Sequence, residues 1–159
     1  MNYFITFRAY GTWLHGDERG SVHKRQNGVN EPLLEHRPRL ENYERHQMRG
    51  ERVTFDAPQR RCVEEALREV ATHRGWTIYA LSVQTNHVHV VVGAECAPEK
   101  VMNDFKTYAT RRLRERVLVP KQAPLWTHHG STKHLHSQTT LVAACNYVAE
   151  NQADLSDCP

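Results

Sequence analysis

The sequence predicts an α+β domain with a ferredoxin-like (RRM-like) antiparallel sheet, helices on one face and an extra helix at the C-terminal end. Three observations lead there. Short aromatic and β-branched runs alternate with segments of helical period, two of those runs meet through a two-residue connection, and a further amphipathic segment follows the last run. After a long loop behind the first strand, the order is α, β, β, α, β, α, in which an antiparallel hairpin sits between two helical crossovers.

Residues 2–9 (Asn-Tyr-Phe-Ile-Thr-Phe-Arg-Ala) form the first strand by composition. Residues 10–54 contain five glycines, two prolines and many charges, which predicts loop, with a short helical turn near 40–47. Within it, 15–50 stands out as a long insertion. Asp56 then caps a helix, with Pro58 in the first turn where a missing N–H costs nothing. Cys62, Val63, Ala66, Leu67, Val70 and Ala71 recur at helical spacing as one buried stripe, and Gly75 ends it. Residues 76–84 are the second strand, opened by Trp76 as a core residue, and Thr85-Asn86 turns directly into a third over 87–92. A second helix runs from Glu99 to about Leu118, with Met102, Phe105, Ala109 and Leu113 inward, and Pro120 and Pro124 break it. The fourth strand spans 125–136, in two pieces around Gly130. Ser137 or Thr139 starts the last helix, whose expected buried face is Leu141, Val142, Cys145, Val148 and Ala149; residues 154–159 read as a loose tail.

At 159 residues the chain suits one domain over 1–159, and its 39% hydrophobic and 25% charged residues suit a soluble globular protein. No run is apolar enough for a membrane span, and no basic-then-apolar leader is seen, so a cytoplasmic protein is expected. Four scattered cysteines without a CxxC pair read as free thiols. A net charge of +3 with 11 histidines and a pI near 8.8 permits a nucleic-acid partner without requiring one. Seven Lys/Arg cluster between Lys100 and Lys121, and the exposed face of that helix offers Lys106, Arg111, Arg112 and Arg114 as phosphate contacts. A solvated helix face is the plain alternative.

The chemistry-bearing pattern is His87-Val88-His89. Side chains two apart on a strand stand on one face, about 6.6 Å apart, so two imidazoles can converge on one metal ion while Val88, Val90 and Val92 turn to the core. Two polar residues on an exposed sheet face is the bland reading. On the last helix, Tyr147 and Asn151 are four apart and share a face, with Glu150 nearby and the buried stripe expected on the opposite side. Tyr108 competes as a functional tyrosine but sits close to a buried stripe. His134-Leu135-His136 is a second His-x-His, readable as strand-end polar residues or, with Cys145, as a structural zinc site.

Taken together, Thr85-Asn86-His87-Val88-His89-Val90-Val91-Val92 and Tyr147-Val148-Ala149-Glu150-Asn151-Gln152 resemble the two motifs of the single-tyrosine HUH transposases, of insertion-sequence and REP-associated type. Leu125-Trp126 resembles that family's Leu-Trp segment, and Thr6 to Leu14 with Gly16 to Gly20 resembles the opening of one subgroup. The likeness runs from the first strand to the last helix. Gln152 departs from the proline common in relatives, and 15–50 has no counterpart.

The resemblance implies a transposase that nicks and rejoins single-stranded DNA at hairpin ends. Tyr147 would be the nucleophile, giving a 5′-phosphotyrosine, and His87, His89 and Asn151 would hold Mg²⁺ or Mn²⁺. Arg8, Trp13 and Trp126 would stack on or grip unpaired DNA, with Lys133 near phosphate. Insertion-sequence relatives act as homodimers, whereas REP-associated ones can be monomers. Two other readings compete: a non-catalytic RRM-like module that binds single strands, for which the His87–Val92 strand lacks aromatics, and a metal-dependent hydrolase in which Tyr147 merely packs.

Overall fold

Alternation along β1 (Asn2–Ala9) sets the layers of the molecule. Tyr3, Ile5, Phe7 and Ala9 are buried on one side of this strand, and Asn2, Phe4, Thr6 and Arg8 are half-buried on the other. The computed structural model describes residues 1–12 and 52–153. Trp13, the insertion over 15–50 and the tail over 154–159 lie outside them.

The capping expected at Asp56 opens α1 (Ala57–Arg74). Its carboxylate accepts from the Gln59 N–H at 2.9 Å while the Gln59 side chain accepts from the Asp56 N–H at 2.8 Å, a reciprocal capping box. The buried stripe is the predicted one, Cys62 to Ala71, and Gly75 closes the helix at φ 75°, a left-handed turn that favours glycine. Strands β2 (Thr77–Val83) and β3 (His87–Gly93) form the expected hairpin, closed by the Gln84 N–H to the His87 carbonyl at 2.8 Å. Trp76 lies just ahead of β2, half-buried and edge-on to Phe105.

Helix α2 (Pro98–Glu115) starts with proline in its first turn and stops before Leu118. Val117 adopts φ 56° there, and the Leu118 N–H reaches back to the Leu113 carbonyl at 2.9 Å, which turns the chain out of the helix. β4 (Trp126–Leu135) is one strand rather than two. The expected break survives as a slip in its pairing with β1, where Phe7 faces Gly130 but Ala9 faces Trp126. Ser137 caps α3 (Gln138–Ala153) through its hydroxyl, which accepts from the Thr140 N–H at 3.1 Å.

The four strands make one antiparallel sheet in the order β2-β3-β1-β4. With two crossover helices this is the ferredoxin-like topology. One face packs Ile5, Phe7, Leu81, Val88, Val90 and Val92 against the apolar stripes of α1 and α2. The other carries a smaller core in which Val91 meets Leu141, Ala144 and Val148, so α3 forms a third layer on the opposite side. The expected buried face of α3 is corrected in part: Ala144 is buried, whereas Val142 and Ala149 are exposed. The run Leu141 to Cys145 is apolar around most of the helix, so its pattern leaves the rotation undetermined. Among the described residues no helix is long and apolar enough to cross a membrane.

Candidate active site between strand β3 and the last helix

His87, His89 and Val91 share the β3 face that looks toward α3, while Val88, Val90 and Val92 lie in the main core. The imidazole centroids are 4.6 Å apart with the rings nearly perpendicular. Each ring is oriented by an oxygen. His87 Nδ1 is 2.7 Å from Asn86 Oδ1, and His89 Nδ1 is 2.8 Å from the hydroxyl of Thr6, its neighbour on β1. Asn86 Oδ1 only accepts, so the His87 proton sits on Nδ1 and Nε2 is left as the lone-pair atom, the arrangement that metal-binding imidazoles use; His89 adopts the same tautomer when the Thr6 hydroxyl is the acceptor. Burial pushes both histidines below their usual pKa, helped by the positive charge of Arg8; His89, also next to His87, falls to about 4. At neutral pH both rings are therefore uncharged.

The Val91–Leu141–Ala144–Val148 core seats α3 across this same face. Tyr147 does not lie opposite the buried stripe, as its spacing had suggested, but at its edge beside Val148. Its ring stands edge-on to His89 with centroids 5.6 Å apart, and Phe4 completes the cluster at 5.9 Å from Tyr147 and 5.6 Å from His89. The tyrosine is about half exposed. One turn on, Asn151 donates Nδ2–H to the Tyr147 carbonyl at 2.8 Å, which leaves Oδ1 as a lone-pair donor. Among the described residues no group of three or more His, Cys, Asp and Glu is placed to hold a metal. Any ion here would rest on two neutral imidazoles and the Asn151 amide oxygen, a set compatible with a divalent cation that keeps open positions.

The model of the family described as IS200-like transposases matches residues 44–151. The chain belongs to the IS200-like transposase family. A solved REP-associated tyrosine transposase, bound to a REP hairpin, superposes with a TM-score of 0.56 at 12% identity, covering 96% of this chain and 67% of that one. A putative transposase from Deinococcus radiodurans aligns at a TM-score of 0.47 and 17% identity, covering 96% of this chain and 90% of that one. The first of these likenesses is one of fold. No curated protein matched the sequence.

Within this transposase the other expected site residues separate by face. Arg8 stands opposite His87 on β1, and Lys133 stands opposite Phe4 on β4, so both are on the side of Tyr147; Lys133 is exposed. The α2 residues belong to the other side. Lys106 is buried and donates to the carbonyls of Thr127, His128 and His129, at 3.0, 3.5 and 3.4 Å, so its ammonium is committed to holding the start of β4. Arg112 pairs with Glu69 and Glu115, Arg114 donates to the Ala123 carbonyl, and Arg111 lies over the Tyr108 ring at 5.2 Å. Trp126 packs on Phe7 and Phe55 and donates to Thr110, with its ring in the main core's rim rather than on the histidine face. Tyr108 is half-buried against that same core, which suits its packing role. His134 stands opposite Tyr3 and touches its ring, and it stacks on His136, so the second His-x-His lies across the sheet from Tyr147. Cys145 belongs to the small core under α3.

Sequence reading missed four residues here: Phe4, Thr6, Gln84 and Asn86. Asn86 was adjacent to the motif and could have been suspected. Phe4 and Thr6 depend on the β1–β3 register, and Gln84 depends on where α3 lands, so neither signal exists in one dimension.

Proposed function

We propose that this IS200-like transposase cleaves and rejoins single-stranded DNA through a covalent bond to Tyr147. The observation that carries the proposal is the seating of the Tyr147 ring against His89, 5.6 Å between centroids, within one chain. His87, His89 and Asn151 would hold Mg²⁺ or Mn²⁺, and such an ion, when bound, supplies Lewis-acid polarisation of the scissile phosphodiester and an electrostatic pull that favours phenolate. Tyr147 Oη attacks phosphorus, the Oη–P bond forms as the P–O3′ bond breaks, and the 3′-oxygen leaves and takes up a proton. The product is a 5′-phosphotyrosine with a free 3′-OH. The phosphoester is conserved in this exchange, so attack by another 3′-OH can rejoin the strand and release the tyrosine. Arg8 and Lys133, on the same face, would hold the backbone on either side of the scissile phosphate.

The substrate we propose is single-stranded DNA folded into a hairpin; the REP-associated tyrosine transposase compared above is bound to a REP hairpin, which supports that form of ligand. The sheet-binding-module alternative is disfavoured by α3, which covers part of the sheet face where an RRM-like module lays its bases.

The test is incubation with a labelled hairpin oligonucleotide and Mn²⁺ or Mg²⁺, followed by a denaturing gel. A covalent protein–DNA band that disappears in Tyr147→Phe and in His87→Ala is expected. An adduct that persists in Tyr147→Phe, or metal-dependent cleavage without any adduct, would overturn the proposal.

A further inference from the structure

Beyond the residues that face the substrate, one side chain links the two halves of the site. Gln84 follows the last residue of β2 and precedes the turn that leads to His87. Its backbone N–H closes the hairpin on the His87 carbonyl, and its side-chain amide does something separate: Nε2–H is donated to the backbone carbonyl of Asn151, at 2.9 Å, 67 positions along the chain. A second, longer contact of the same nitrogen, 3.4 Å to the Ser82 hydroxyl, fixes the amide from below. Ser82 is buried, and Gln84 itself is half-buried.

We infer that Gln84 is a positioning residue that latches the last turn of α3, and with it Tyr147, over the histidine pair. The inference rests on the reading of Tyr147 as the nucleophile. The placement of Tyr147 depends on where α3 is held. Its apolar anchors are Leu141, Ala144 and Val148, whereas Ala149 and Glu150 are exposed and Asn151 is half-buried. Asn151, in the final turn, donates its side-chain N–H to the Tyr147 carbonyl of the same helix, which stiffens that turn. Among the described residues, the Gln84 amide is a polar side-chain attachment between that turn and the hairpin bearing His87. A helix end carrying its last-turn carbonyls unpaired would otherwise fray. One hydrogen bond of this kind contributes about 1 kcal/mol, roughly a fivefold change in the population of the docked turn. That is small for folding and large for a reaction whose nucleophile must be placed within a fraction of an ångström.

Gln84→Met tests this, because the thioether keeps length and volume, has no donor, and leaves the backbone N–H that closes the hairpin. Two readouts are measured on the full chain. By hydrogen exchange, amides of Val148 to Asn151 should exchange about fivefold faster than in the parent protein, and the melting temperature should fall by no more than the few degrees that one hydrogen bond accounts for. With hairpin DNA at saturation, the rate of adduct formation should fall by about the same factor, while the DNA concentration giving half-maximal rate stays the same. Unchanged exchange in that turn overturns the latch. Faster exchange with an unchanged rate of adduct formation overturns its role in positioning. A parent protein that forms no adduct would instead count against the reading of Tyr147, and the exchange result would still decide whether the latch exists.

Discussion

Two oxygens decide how His87 and His89 can act. Asn86 Oδ1 and the Thr6 hydroxyl each meet an Nδ1, which fixes the tilt of both rings, and Asn86 Oδ1, an acceptor only, also fixes the tautomer of His87. Thr6→Val keeps the shape of the side chain but removes that partner, so His89 loses its orientation without a change in packing volume. We expect Mn²⁺ affinity, measured by calorimetric titration, to fall by roughly 10- to 100-fold in Thr6→Val, with little change in melting temperature. Burial of His89 has a second consequence. The ring titrates near 6.5 in the unfolded chain and about 4 in the folded one. Between those values the unfolded state binds the extra proton, so stability present above pH ~6.5 is lost progressively as pH falls toward about 4. Urea unfolding of metal-free protein should show this loss, on the order of 2 kcal/mol. His87, lowered by burial and Arg8, adds to it in the same direction. In His89→Asn the pH dependence over that window should shrink markedly; an unchanged slope would mean the buried ring is not its source.

At the scale of elements, α1 was the most legible. Asp56, Gln59, Pro58, Gly75 and the stripe from Cys62 to Ala71 all act locally, within a turn or two of where they sit. The end of α2 was not legible, because Val117 gives no sign of leaving the helix. A β-branched residue at φ 56° pays a steric penalty that glycine would not. Since Val117 is exposed by 82%, Val117→Gly removes that penalty with little lost packing, and should raise stability by roughly 0.5–1 kcal/mol, read as a shift of the urea midpoint. Gly130 is the reverse case. A Cβ there would come within 2.6 Å of the Thr6 carbonyl and 2.5 Å of Met102 Sδ. The thioether can swing aside but the backbone of β1 cannot, so Gly130→Ala should cost about 1–3 kcal/mol. It should also disturb Thr6, and through it His89. Loss of metal affinity alongside stability would distinguish it from a purely structural lesion.

Across the whole molecule the sheet separates two chemistries. Helices α1 and α2 close the main core on one side, where Arg112 pairs with Glu69 and Glu115, Arg116 pairs with Glu65, and Arg114 donates to the Ala123 carbonyl. On the other side lie Tyr147, the histidine pair, Arg8 and Lys133. DNA that reaches Tyr147 should therefore depend on Lys133 more than on the basic helix. Lys133→Ala is expected to weaken hairpin binding and to reduce the slope of log K against log[salt] by about 0.7. Arg111→Ala should leave both nearly unchanged. Equal losses in the two variants would mean that the strand also runs over the α2 layer.

The order of elements, the core stripe of α1 and the pairing of β2 with β3 could be read from the sequence alone, because each is encoded by period, cap or turn chemistry within a short span; it also carried the family resemblance of the two motifs. It placed His87 and His89 on one face for the same reason: strand alternation is strictly local. Only the tertiary structure decided that Tyr147 lies on that face, that His134 and His136 do not, and that Lys106 is buried under three carbonyls. Those outcomes turn on the β1–β3 and β1–β4 registers and on the rotation of α3, where a shift of one residue moves every side chain to the other face. Nothing within a few residues of Tyr147 carries that information; it resides in Val91, Phe4 and Ala80, against which the last helix comes to rest.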